Sequence, residues 1–535
     1  MGKKRGGMSL ERLLVLVALS AGACGRSSLI DEMECSPGDA RICDASGAVG
    51  AQTCKASGYW SECKSGSSPG AGASTNSGGS VGSVGAGGFG AIAGASAGLG
   101  GTPVAATGGG GEGGFGEGGE GATEPSLEFG RTFAKGGLFE LADLAAKPSG
   151  AFSIAVSTTS DVDFGPPTTP LLYQGGVDAV VAEFDADAAP LRATIFGDDG
   201  DEVATSVAYD SSGALIAAET HSWDTPGVRL KRTDASGDLA WTKFVQGPAS
   251  AVDVAVDQER NVVLTGVFAG AVDFGGGILP ESTNTNIYVV KFDQQGTWLW
   301  GRELMGYHCV PTGIATDSEG NVIVVGSFFY DIDFGWGSIS AAGASDVFVA
   351  KFSPAGEVLH AHTYGGNDYQ EIRGVAVLSD DSFAIGGRLT GDLDLGANVI
   401  HGSGAVLVAR FSATGTSLWA KAIESTSGEA NAFDVAVDPF DNIVLVGSFQ
   451  GTLQVPKPVT ATGIDAFVIG LDRDGDVRWA QRIGGPNGQD ALAVATDAAG
   501  DVLVGGRFFD AIDFGEGDVS AGPGVMDLFV AKIKP

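Results

Sequence analysis

The residues with chemistry to offer are few, and most of them recur. Asp163-Phe164-Gly165, Asp273-Phe274-Gly275, Asp333-Phe334-Gly335 and Asp513-Phe514-Gly515 repeat one tripeptide. In phosphoryl transfer such an aspartate holds magnesium, but that chemistry needs a Gly-rich strand pair, a strand lysine and a His-Arg-Asp loop, none of which is present. Recurrence marks a turn, in which a short carboxylate accepts backbone N–H groups just downstream. Asp210, Asp257, Asp317, Asp438 and Asp497 read the same way. Lys291, Lys351, Arg410 and Lys532 share another recurring slot beside apolar neighbours, and are expected to pair between repeats with carboxylates such as Asp273 or Asp333.

Metal and nucleophile signals are incomplete. Asp472-Arg473-Asp474-Gly475-Asp476 resembles half a calcium loop, but Val477 and Ile483 stand where glycine and a bidentate glutamate are needed. Turn acidity is the favoured reading over calcium, and no cofactor is expected. His360 and His362 share one face of a strand without a third zinc ligand, and His308-Cys309, placed in a loop between repeats, lacks an orienting third group. No catalytic residue is assigned.

The elements that hold these residues are short apolar runs between turn signals, which are strands; no helical period appears. From residue 126 onward they repeat. Phe292, Phe352, Phe411, Leu471 and Ile533 end equivalent strands at spacings of 60, 59, 60 and 62 residues. Each unit reads as four strands, a to d: VDVAVD, NVVLTGVF, NIYVVKFD and TWLWGREL in the clearest case. Four strands in about 60 residues make a propeller blade. Seven a–b–c sets are present, the last lacks strand d, and SLEFGRTFAKGG at 126–137 matches a d strand. The expected fold is all-β: a seven-bladed β-propeller over 126–535, closed by its N-terminal strand, which pairs with Asp527–Ile533.

The units VAVDQERN and IATDSEGN, each followed by Asp-Phe and then by VVKFD or VAKFS, with VAVDPFDN and VARFS as further copies of the turn and the strand, resemble the bacterial SBBP β-propeller repeat. The second and fifth units depart from it. The resemblance implies an exported or cell-surface propeller and assigns no catalytic residues. Ahead of the a–b turn the units carry Glu202, Ala249, Cys309, Gln370, Ala430 and Gln489, positions that vary where packing residues repeat and are expected to line the mouth. The d–a and b–c loops are expected to form an acidic rim from Asp199, Asp201, Glu202, Asp368, Glu371, Glu429 and Asp490, where any ligand would bind.

The N-terminal quarter gives an address. Lys3, Lys4 and Arg5 precede the apolar Leu13–Leu19, so 1–23 reads as a signal peptide. Ser20-Ala21-Gly22-Ala23 before Cys24 resembles a bacterial lipobox, with Ala21 where leucine is usual; cleavage by ordinary signal peptidase is the alternative, giving a secreted soluble protein. By the same resemblance Cys24 is lipidated, 24–34 is the anchored N-terminus, and Gly25 favours an outer-membrane or cell-surface lipoprotein. Cys35, Cys43, Cys54 and Cys63 define a small module at 35–63 too short to bury a core, so two disulfides are expected, in any of three connectivities. Residues 64–125 read as a disordered Gly/Ser-rich linker: 24 of the 87 glycines fall within 66–125, leaving no apolar periodicity to bury.

With 31 Lys and Arg against 65 Asp and Glu in 535 residues, the formal charge is −34, which repels phosphate and argues against nucleic acid. The expected partners are the membrane, through the lipid, and a glycan, matrix component or surface protein, with the chain a monomer. The expected function is a cell-envelope lipoprotein whose propeller binds through its rim; a propeller enzyme on an extracellular substrate and a purely structural display module are the alternatives. The intact mass of the mature protein checks the N-terminal reading. A diacylated Cys24 should be its first residue, and reduction should add the hydrogens of two disulfides.

Overall fold

In the computed structural model, residues 40–45, 48–53, 64–65, 125–133 and 138–535 are described, except 198–199, 223–224, 281, 397–398 and 516. The chain divides into two compact units, one including Ala23–Leu99 and the other Gly100–Pro535. In the first, Ala40–Ala45, Ala48–Thr53 and Lys64–Ser65 form a three-stranded antiparallel sheet. The signal segment, Cys24, Cys35, Cys54, Cys63 and residues 66–124 of the linker lie outside the described residues; Cys43 falls on the first strand of that sheet.

The second unit is all-β, with no helix among the described residues. Its antiparallel sheets run a to d from the inside out. Leu138–Ala146 opens one, Asp201–Tyr209 the next, and Gln370–Val377, Ala430–Val437 and Gln489–Thr496 three more. Between them, Ala249–Val256 opens an eight-stranded sheet in which Trp298–Thr316 serves twice. Its first half is the outer strand of one four-strand set and its second half the inner strand of the following set. Each inner strand packs on its neighbours, and Gln489–Thr496 packs on Leu138–Ala146, which closes the cycle into a propeller-like ring.

Strand composition follows from this stacking. Strands b and c have a neighbouring sheet on both faces, so Phe152–Thr158, Asp346–Phe352 and Asp465–Leu471 are buried along their whole length. They accordingly read as unbroken apolar runs. The outer strands meet solvent on one side, and Leu239–Gln246 and Val358–Tyr364 mix exposed with half-buried positions.

Two recurring contacts join sheet to sheet. On the outer strand a tryptophan reaches the c–d turn of the following sheet: Trp241, Trp300 and Trp419 donate through Nε1 to the carbonyls of Gln294, Pro354 and Arg473 at 3.0, 2.8 and 3.0 Å. Two residues on, Lys243, Arg302 and Lys421 donate to Gly296, Gly356 and Gly475 of the same turns. Gly356 is fixed in two ways: its φ is +80°, and a Cβ there would sit 2.6 Å from the Trp300 ring.

The strand Ser126–Thr132 pairs antiparallel with Met526–Lys534, from Thr132 opposite Phe529 to Ser126 opposite Lys534, as the outermost strand of the last sheet. It also makes the sheet-to-sheet joint. Arg131 donates to the carbonyl of Ala188 in the c–d turn of the first sheet, and to that of Phe164 at 3.0 Å. Deleting residues 126–137 should therefore expose the edge of Met526–Lys534 and undo the joint with the first sheet. Thermal unfolding should become less cooperative and begin at lower temperature, with self-association in sedimentation. An unchanged melting temperature in a monomeric variant would contradict this.

Candidate functional site

The acidic residues assigned to the rim sit at or near the starts of different inner strands, distributed around the ring. Asp199 lies outside the described residues. Glu202 is buried with His221, whose Nδ1 is 3.4 Å away and whose Nε2 is 3.2 Å from Glu219. Burial alone would lower the His221 pKa, but the two carboxylates outweigh it and the net shift is upward. Glu371 is buried against Arg373 at 2.7 Å, and burial still raises its pKa. Asp490 meets Arg507 at 2.9 Å, and burial raises the carboxyl of Asp201. Asp368 and Glu429 are exposed. Glu371 and Asp490 thus bring their own cations and Glu202 is buried against His221, so the rim is less negative than its acids imply.

The variable mouth positions are interior. Glu202, Ala249, Cys309, Gln370, Ala430 and Gln489 are all buried, which corrects the expectation that they line the mouth. Gln370 donates to the carbonyls of Thr390 and Asp392, and Gln489 to that of Ala511, so they tie inner strands to the b–c connections. Nor does His308-Cys309 lie in a loop: it is part of the continuous strand Trp298–Thr316. The Cys309 thiol donates to the Asp331 carbonyl at 3.2 Å, and burial, with Asp331 second, pushes its pKa to about 12. Almost no thiolate exists at neutral pH, so Cys309 is a packing residue.

The rim of this one repeat carries something else. Tyr307 pairs with Asp331 and Cys309 with Phe328, so His308 faces two residues, Phe329 and Tyr330. His308 takes a φ of +56° in this bulge, an unusual value for a residue with a side chain. Tyr307, His308 and Tyr330 are all exposed and touch one another, with ring centroids 4.5 Å (Tyr307–His308), 5.0 Å (Tyr307–Tyr330) and 5.8 Å (His308–Tyr330) apart. In the register of the other sheets the Tyr330 slot holds Gly270, Gly391, Gly451 and Asp510, all with positive φ. Here strand b runs straight through, and the left-handed residue moves to the facing strand. Nothing in the repeat requires this aromatic cluster, and sequence reasoning passed over it because aromatic residues are common in strands.

At the other end of the inner strands, the a–b turns surround a cavity of about 630 Å³ at the channel mouth. Val256, Thr316, Val377, Val437 and Thr496 line it together with Asp317, Asp438 and Asp497. The strand c cations point here, not to Asp273 or Asp333. Lys291 meets Asp257 and Lys351 meets Asp317, both at 2.8 Å; Arg410 meets Asp380 at 2.7 Å; Lys532 meets Asp497 and Asp501 at 3.2 and 3.0 Å. These pairs lie within one sheet, which corrects the expected pairing between repeats. The link onward is a hydrogen bond: Lys291 and Lys351 also donate to the carbonyls of Gly320 and Ala413. In the first sheet the charges are exchanged, with Lys147 in the aspartate slot 3.6 Å from Glu183 in the lysine slot.

The remaining motifs are structural. In each Asp-Phe-Gly the carboxylate accepts the glycine N–H, at 2.7–2.9 Å, and the phenylalanine packs on a strand c aromatic, as Phe274 does on Tyr288. Asp472 accepts the N–H groups of Asp474 and Asp476 and pairs with Arg478, so its oxygens are engaged within the turn. His360 packs on Gly415, the place tryptophan fills elsewhere.

No family model matches the sequence. A WD repeat-containing protein of Acanthamoeba polyphaga mimivirus is 24% identical over 391 residues, covering 58% of this chain and 28% of the viral protein, so the chain spans under a third of that relative's length. Among solved structures, a protein of unknown function from Dyadobacter fermentans aligns over 77% of this chain and 99% of its own at 9% identity and a TM-score of 0.39. A Bacteroides caccae protein of unknown function covers 57% and 89% at 10% identity and 0.31. A gluconolactonase from Xanthomonas campestris covers 76% and 89% at 11% identity and 0.31. A WD-repeat relative and the all-β ring of sheets fit a β-propeller repeat protein.

Replacing Lys351 with methionine leaves Asp317 buried without its cation and removes the bond to Ala413. Urea denaturation should show a loss of roughly 2–3 kcal/mol, on the low side for a buried pair because Asp317 lines the open mouth. Unchanged stability would mean that neither the pair nor the bond to Ala413 contributes to the fold.

Proposed function

We propose that the chain is a seven-bladed propeller of the SBBP type, carried on an exported lipoprotein anchored through Cys24, and that it works as a binding module. The cyclic packing of the inner strands and the fastening of Ser126–Thr132 onto the last sheet support the blade count. The signal segment and the cysteine that follows it support the address.

The observation that carries the binding role is the exposed cluster of Tyr307, His308 and Tyr330 on the loop rim. A frame that repeats so closely elsewhere departs here to present three rings to solvent. Tyrosine offers a large contact face and a polar tip at little conformational entropy. Such a surface suits a polysaccharide, a matrix component or a partner protein. Exposed Asp368 and Glu429 elsewhere on the rim bias it against anionic ligands. No nucleophile–base pair accompanies the cluster among the described residues, since the nearby thiol is buried and protonated.

A glycan array and a pull-down from envelope extracts with the whole protein test the reading. A ligand found by either route should bind at least about tenfold more weakly to Tyr307→Ala and Tyr330→Ala, as expected for truncated interface anchors. A ligand indifferent to both substitutions would place binding elsewhere.

A further inference from the structure

Three inner strands carry an aspartate at one level of the channel: Asp143 on Leu138–Ala146, Asp253 on Ala249–Val256 and Asp434 on Ala430–Val437. Each spans a joint between sheets. Asp143 accepts the N–H of Leu144 at 2.7 Å and of Val207 in the following sheet at 2.9 Å. Asp253 does the same with Val254 and Ile314, both at 2.8 Å, and Asp434 with Val435 at 2.7 Å and Val494 at 2.9 Å. The equivalent positions elsewhere are Gly313, Gly374, Ala493 and, between Asp143 and Asp253, Ser206.

Ser206 sets a count of hydrogens that does not close with ionised carboxylates. Its Oγ lies 2.7 Å from Asp143 Oδ2 and 2.8 Å from Asp253 Oδ1. It also accepts the N–H of Val254 at 3.3 Å. A serine hydroxyl has one hydrogen, so it can donate to one carboxylate only. The second contact, oxygen to oxygen at hydrogen-bond distance, needs a hydrogen of its own, and only a carboxylic acid can supply it. With both acids ionised, one of the two contacts would set a lone pair against a negative charge.

We propose that Asp143 and Asp253 share one bound proton through Ser206 at neutral pH, and that this proton is part of the joint holding the first three sheets together. One acid donates to Ser206 Oγ, and Ser206 donates to the other acid, so every oxygen at the joint has a partner. The proton belongs to the pair, not to one residue.

The surroundings favour it. Burial first, and the charge of Asp253 second, lift Asp143 to about 7, and burial raises Asp253 as well. Asp434 across the channel is raised by burial and then by Asp143. Of the other charged groups on the packed strands, burial raises Glu140 on the same strand, Asp201, Glu303 and, to about 6, Asp527. Glu202 is paired with His221, Glu219 with Arg229, Lys532 with Asp497 and Asp501, Arg373 with Glu371, and Asp490 with Arg507.

The sign of the pH dependence follows. An unfolded aspartate has lost its proton above pH 3.8, while the folded pair keeps one up to about 7. The folded state therefore binds more protons across that interval, and stability falls as pH rises through it and levels off above. The shared proton alone should raise the unfolding equilibrium constant of the whole protein by up to about tenfold per pH unit between about pH 5 and about pH 7. His221, Glu140, Asp434 and Asp527, all raised in the folded state, contribute in the same direction, so the test is a difference between variants.

Asp143→Asn and Asp253→Asn each remove the titrating carboxyl while keeping the side chain's size. In either variant the slope should be shallower than wild type by up to about tenfold per pH unit, and infrared difference spectra in heavy water should lose one protonated-carboxyl C=O band that titrates near neutrality in the wild type. Unaltered slope and band in a folded Asn variant would overturn the proposal. If neither variant folds, absence of any protonated-carboxyl band at about pH 6 in the wild type overturns it, as does a band whose titration is unmoved by Ser206→Ala, which removes the bridge.

Discussion

A four-stranded sheet has two edges, and a ring of such sheets has two ends; this chain resolves both problems with one strand. Each sheet buries its inner edge toward the channel and leaves its outer strand in solvent. The last sheet, built from the C-terminal strands alone, would end on strand c, a segment buried on both faces everywhere else. Ser126–Thr132 covers that edge. The same strand presents Arg131 to the first c–d turn, doing for the seam what a tryptophan and a lysine or arginine do at the ordinary joints. Were the ring cut between blades instead of within one, the seam would rest on face packing alone, and strand pairing would not fasten it.

The joints divide their work by radius. Near the axis, carboxylates on the inner strands accept N–H groups from the following sheet. Midway, a lysine or arginine of strand c holds the aspartate of its own a–b turn and reaches one carbonyl further on. At the periphery, indole and turn interlock. None of these contacts is strong alone, and each places a polar group that burial would otherwise leave unsatisfied. The exchanged pair Lys147–Glu183 shows that the constraint is on the sum of the charges, not on their order.

Much of this was legible in the residues. Strand positions, the four-strand unit, the phase offset and the turn role of Asp-Phe-Gly follow from spacing, because stacked sheets impose a period on apolar residues. The side-chain partnerships were less legible. Lys351 recurs in phase with both Asp317 and Asp333, and periodicity cannot say which carboxylate lies within reach; only the strand register does. Variation was also misleading: Gln370 and Gln489 differ from Ala249 and Ala430 because buried connections need different donors, not because a ligand selects them. The aromatic cluster at Tyr330 and the hydrogen count at Ser206 have no signature in one dimension, since each depends on residues about 20 to more than 60 positions apart.

The closing strand has a mechanical corollary. Ser126 and Lys534 are register partners, bound besides by the pair Lys534–Glu128, so the two ends of this unit leave from the same corner like a hairpin whose loop has been removed. A few residues of linker would join them into an ordinary hairpin, so the unit is suited to circular permutation, with new ends opened away from the c–d turns that carry the joints, and to insertion within a host loop. Tension applied across those same ends would unzip one ladder rung by rung, instead of loading the whole ring in shear.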